Sequence, residues 1–301
     1  MSVPGSRHEL CRALAALAGP SPDPEVCRLL RLPAPPGPAA HTDVFVLETH
    51  PYASVHLGAE GMIGGEAGDR VAGFWRALGA VPPPDADHLT TLLELYAALG
   101  AEEVGAEELD VATMGEPATG RRRAALASAR AALVWEHLAS WVPVHLASVE
   151  RVGERFHQAW AKLTVEVLAG EVEACGPPRA ELPTALALAP PPLDAASRRG
   201  CVDALLAPLR SGMVLTRADL VRAGADLGLG VRRGERHFTL DALLDQDSSG
   251  VLGWLSRLAA EWVELHEQWH VGPLGPVGQW WAARARATAA VLERAGSAIA
   301  A

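Results

Sequence analysis

Apolar side chains recur along this chain at intervals of three and four, and prolines repeatedly cut the pattern. Such a chain is suited to many helices of moderate length joined by stiff breaks. Val71, Phe74, Trp75 and Leu78 fall on one helical face, and Pro82, Pro83 and Pro84 must end that helix. Leu89, Leu92, Leu93 and Tyr96 then mark the buried stripe of the next one, with Asp85 or Asp87 placed to cap it and His88 in its first turn. The hydrophobic fraction, 49%, comes mainly from Ala, Leu and Val, while aromatics make up only 5%, which favours packed helices over an aromatic-rich sandwich. The expected fold class is all-α.

The same reading divides the 301 residues into parts. Short amphipathic helices are expected over 7–18 and 24–31, whereas Phe45-Val46-Leu47 fits either a short strand or a helix start. An acidic, glycine-punctuated loop is expected over 101–120, followed by a long helix from near Arg121 that Pro143 kinks or interrupts. A further helix covers about 150–173. Prolines 177, 178, 183, 190, 191 and 192 make 177–194 a linker or surface strap. The expected organisation is a helical domain over 1–176, the linker over 177–194, and a second helical unit over 195–301. In that unit Thr216 caps one helix, and Val251 to Trp269 and 277–298 form others.

Charge narrows the partners. Acidic residues outnumber basic ones by 36 to 26, a formal net charge of -10, so no nucleic-acid partner is expected and a cationic peptide is the better electrostatic match. Cys11, Cys27, Cys175 and Cys201 lie far apart and form no Cys-x-x-Cys pair, which suggests neither a disulfide framework nor a zinc knuckle. No apolar run approaches the roughly 20 residues that span a bilayer, and His8 and Glu9 stand where a secretory leader would be apolar. A cytoplasmic location without stable membrane insertion is expected.

Two stretches carry the look of metal chemistry. His266-Glu267-Gln268-Trp269-His270 is a literal His-Glu-x-x-His, which on a helix would aim two imidazoles at a zinc ion, with a carboxylate to activate its water. Gly272 and Pro273 end the helix directly afterwards, however, and the bland reading packs His266 and Trp269 against Trp280 and Trp281. Asp245 to Gly250 opens like a calcium loop, but its twelfth position is Ser256 in place of the bidentate glutamate, so a capped turn is expected there. No metal or other cofactor is expected.

Four stretches together are similar to the TorD/DmsD family of molybdoenzyme assembly chaperones: Tyr52-Ala53-Ser54-Val55-His56-Leu57, Gly61 to Glu66, Pro84-Asp85-Ala86-Asp87-His88-Leu89, and Glu136-His137-Leu138-Ala139-Ser140-Trp141-Val142-Pro143. The resemblance covers roughly residues 45–170. Asp87-His88 matches the family's Asp-His loop, although Pro84-Asp85 reverses the acid and proline that precede it there. The resemblance implies a protein that is not an enzyme. It would bind the twin-arginine leader peptide and the apo form of a molybdenum-cofactor oxidoreductase, as a monomer or dimer. The residues implied to meet the client are Asp85, Asp87, His88, Glu136, His137, Trp141 and Pro143, with Asp85, Asp87 and Glu136 supplying charge for the arginines. Two other readings stand beside it: a zinc-dependent hydrolase built on His266, Glu267 and His270, and a non-catalytic structural subunit.

Overall fold

The computed structural model describes residues 7–112, 117–194, 197–232, 234–269 and 272–300, and among these it is all-α, with no β-strand. Its contacts divide into two compact units that interleave along the chain: Met1–Thr42 with Gly68–Pro183, and Asp43–Ala67 with Thr184–Ala301. The division differs from the contiguous 1–176 and 195–301 read from the sequence. Residues 184–194, inside the expected linker, also carry a short helix, Thr184–Ala187, with Leu186 and Leu193 buried.

In the first unit the longer helices are α1 (Arg7–Leu17), α2 (Gly65–Ala77, in this unit from Gly68), α3 (Leu89–Ala112), α4 (Pro117–Ala132), α5 (Val142–Val152) and α6 (Arg155–Ala174). The apolar stripes foreseen on α1, α3 and α6 meet in the core. Leu14, Leu89, Leu92 and Trp160 have no exposed surface, and Trp160 Nε1 donates to the Leu14 carbonyl at 3.0 Å. Two segments depart from expectation. Residues 101–112 are the second half of α3 and not a loop, and 113–116 lie outside the described residues. A glycine in a helix costs about 1 kcal/mol relative to alanine, but here α3 packs along α4, and Arg130 of α4 pairs with Glu103 at 3.0 Å.

The second departure concerns Pro143. The chain leaves α4 through a π-helical turn, Leu133–Ala139, and the break falls at Ser140 and Trp141. Trp141 then caps α5, and Pro143 occupies that helix's first turn, where a missing N–H breaks no hydrogen bond. Pro143 therefore starts a helix. It does not kink one.

The second unit contains α7 (Arg198–Leu206), α8 (Arg217–Leu227), α9 (Arg236–Gln246), α10 (Ser248–Glu267) and α11 (Gly275–Ala300). Helices α10 and α11 run antiparallel: Ser249 Oγ donates to the Gly296 carbonyl at 3.2 Å and Ser256 Oγ to the Ala289 carbonyl at 3.0 Å. Thr216 caps α8 as expected, and it does so through a reciprocal box. Its hydroxyl oxygen accepts from Asp219 N, while an Asp219 carboxylate oxygen accepts from Thr216 N, each at 3.1 Å. The calcium-like stretch is a capped turn, in which Asp247 accepts from Gly250 N at 2.9 Å. The open question at Phe45-Val46-Leu47 resolves as a π-helical turn, Thr42–Glu48. Its Glu48 carboxylate accepts from Ala218 N at 3.0 Å, placing an anion at the positive N-terminal end of α8.

Candidate client-binding site

The residues singled out at 85–88 and at 136–143 all belong to the first unit. Pro84 to Asp87 form a tight turn, in which His88 N donates to the Asp85 carbonyl at 3.1 Å. His88 is itself a cap for α3. Its carbonyl accepts from Leu92 N at 3.0 Å, and its ring Nδ1 accepts from Thr90 N at 3.3 Å and lies 2.7 Å from the Thr90 hydroxyl. The imidazole is only partly exposed. Burial pulls its pKa down, while the carboxylates of Asp85 and Asp87 act in the opposite direction. Asp85 is exposed, whereas Asp87 retains 7% of its surface.

Around the π-helical turn, Glu136 and His137 are half-buried, and their carbonyls are taken up by the residues that follow. Ser140 Oγ donates to the Glu136 carbonyl at 2.8 Å, and Trp141 Nε1 donates to the His137 carbonyl at 2.7 Å. These two bonds satisfy acceptors that the end of the helix would otherwise strand. They also explain Trp141, which is fully buried and stacks toward His145 at 5.7 Å. Trp141 and Pro143 are core residues. Both are buried: one caps α5 and the other lies in that helix's first turn.

Helix α2 brings the two stretches together. Trp75 Nε1 donates to the Ala86 carbonyl at 3.3 Å, anchoring the 84–88 turn, and the neighbouring Phe74 ring packs 4.8 Å from the His137 ring. The apolar spacing of Phe74 and Trp75 was legible in the sequence, but not what they would hold. His137 is pushed down to about 4, first by burial and then by the positive charge of Arg70. At neutral pH His137 is therefore a neutral imidazole.

The other sequence candidates sit elsewhere. His56, in the early family-like stretch, is fully buried in the second unit; its Nε2–H donates to the His50 carbonyl at 3.2 Å, and burial drives it down to about 3. His266 is also fully buried. Its Nε2–H donates to the Gly212 carbonyl at 2.8 Å, and its ring lies 5.4 Å from Trp262 and 6.1 Å from Trp281. A nitrogen donating its proton to a carbonyl cannot also bind zinc. Glu267, the intended base, is exposed and paired with Arg286 at 2.8 Å, and His270 lies outside the described residues. No group of three or more metal-ligating side chains occurs among the described residues.

One buried network gave no signal in the sequence. Tyr96 donates to Glu171 at 2.5 Å across the α3–α6 contact, and Arg130 lies 5.6 Å over the Tyr96 ring and 4.0 Å from Glu171. These residues are far apart in sequence and share no motif, so only the packed fold reveals them.

Residues 39–147 match the family model described as nitrate reductase delta subunit. This segment includes residues 85–88 and 136–143 together with Phe74 and Trp75. No curated protein and no solved structure matches the chain.

Proposed function

We propose that this protein is a molybdoenzyme assembly chaperone that binds the leader peptide and apo form of its client. It would hold them until the cofactor is inserted. The observation that carries this reading is the match of residues 39–147 to the nitrate reductase delta subunit family, because the matched stretch includes both polar motifs, tied to one helix through Phe74 and Trp75. In this reading Asp85 and Glu136 meet the paired arginines of a leader, and His88 and His137 accept hydrogen bonds as neutral imidazoles. Asp87, largely buried, shapes the turn. The work is binding and not turnover: occupancy of the apo form lowers the population open to aggregation or premature export by mass action. In this reading the protein acts in the cytoplasm, on the side where the cofactor is inserted.

Calorimetric titration with the twin-arginine leader of a molybdoenzyme from the same genome tests the reading. Saturable binding is expected, weakened about tenfold or more when both arginines become glutamine and when Asp85→Asn is combined with His88→Ala. A leader that binds equally well without its arginines would count against these residues.

A further inference from the structure

We propose that Trp75 is a positioning residue of the client site: by holding the Ala86 carbonyl, its indole sets where Asp85 stands relative to Glu136. This inference rests on the chaperone reading and adds to it the residue that makes two motifs one site. Every residue involved belongs to the first unit.

Helix α2 fixes the indole before the turn is reached. At its C-terminal end Ala80 N donates to the Trp75 carbonyl at 3.0 Å and Gly79 N to the Arg76 carbonyl at 2.9 Å, with Gly79 left-handed at φ +78°. Such a paired closure is what a left-handed glycine permits after a helix. It anchors the backbone of Trp75 itself. Pro82, Pro83 and Pro84 then stiffen the return of the chain, because each ring holds φ near one value. At Ala86 the chain is back within reach, and Trp75 Nε1 donates to its carbonyl at 3.3 Å.

Asp85 is thereby fastened on both sides. Its own carbonyl accepts from His88 N at 3.1 Å, and the next carbonyl along is the one that the indole takes. Ala86 keeps only 7% of its surface, so losing the indole N–H deprives the carbonyl of a largely buried residue of its donor and frees the turn to shift. The other motif is set by the neighbouring side chain. Successive residues of a helix project about 100° apart, which lets Trp75 face the turn while Phe74 packs 4.8 Å from the His137 ring. Glu136 precedes His137 in the π-helical turn, so one helix supports both carboxylates. Paired arginines engage two carboxylates at once only where the spacing of those carboxylates is held, and a shift of one leaves the other contact intact.

The test is a pair of double-mutant cycles, read by calorimetric titration of the full chain with the two-arginine leader described above. Trp75→Phe keeps an aromatic ring and removes the N–H. It is expected to weaken binding about 3- to 10-fold, as Asp85→Asn does alone, because both remove the same contact. In the Trp75→Phe background Asp85→Asn should change affinity by less than about twofold, whereas Glu136→Gln should cost as much as in the wild type. A general loosening of the fold would diminish the effects of both carboxylates together, so the selectivity reads position and not stability. Loss of both effects together, loss of neither, or an Asp85→Asn that is neutral in the wild type would overturn the positioning role and leave leader binding itself standing. A leader that does not bind the folded wild-type protein would overturn both. Should Trp75→Phe fail to fold, Gly79→Ala takes its place in the cycles: it strains the left-handed end of α2 that anchors Trp75, and its methyl group meets no other atom. The same selectivity is expected of it, and equal effects on the two carboxylates would overturn the role there too.

Discussion

His137 shows how a single, largely buried side chain can weaken the fold in acid. Free in an unfolded chain, a histidine takes up its proton near pH 6.5; held against Phe74 and near Arg70, His137 resists protonation down to about 4. The unfolded state therefore binds more protons between those values, and stability falls as pH drops through that window, by up to about 1.4 kcal/mol per pH unit. Urea midpoints measured from pH 7 to pH 4 should decline less steeply in His137→Gln than in the wild type. Parallel declines would show that His137 is not the group responsible. At the same scale, His266→Ala should cost about 2–4 kcal/mol, because it empties a space between Trp262 and Trp281 and strands the Gly212 carbonyl. Glu267→Gln, which removes only an exposed pair with Arg286, should cost less than about 1 kcal/mol. Thermal melts of the two variants check this structural role: equal, small losses would mean that the ring of His266 does not hold the Gly212 carbonyl and the surrounding tryptophans.

Elements were legible wherever apolar period and breaker agreed. The stripe Leu89, Leu92, Leu93 and Tyr96 and the box at Thr216 are where their spacing puts them, because helix periodicity and end-capping are local effects. Residues 101–112 read as loop because Gly105 and a run of acids weaken the local case; the neighbouring helix and the Arg130–Glu103 pair, both distant in sequence, outweigh it. The same limit hid how the two motifs come together. Asp87-His88 and Glu136-His137 were visible as motifs, but the bridge between them through Phe74 and Trp75 depends on tertiary packing. Gly212 offers a prediction at this scale. It ends the short turn Pro208–Ser211 at φ +74°, and a Cβ there would collide with the backbone at Ala285 of α11. Gly212→Ala should therefore cost more than about 2 kcal/mol, measured by chemical denaturation, since it combines left-handed strain with a backbone clash. A near-neutral result would mean that α11 shifts easily at this point.

For the whole molecule, the interleaved division matters most. Residues 43–67 contribute Val44, Phe45, Ala53, Val55 and Leu57 to the core of the second unit, so that unit is not the simple C-terminal appendage suggested by its proline-rich approach. Hydropathy along the chain cannot reveal such a return, which is a long-range event. A fragment of residues 184–301 is expected to lack a cooperative thermal transition, and rejoining 43–67 to it should restore one; a cooperative melt of 184–301 alone would contradict the division. In the proposed reading, this fold works by binding a client's leader. Calorimetric titration of the intact protein with the twin-arginine leader, in its arginine and glutamine forms, addresses that claim most directly. The account predicts saturable binding that weakens about tenfold or more without the arginines, and folded protein that binds neither form would contradict it.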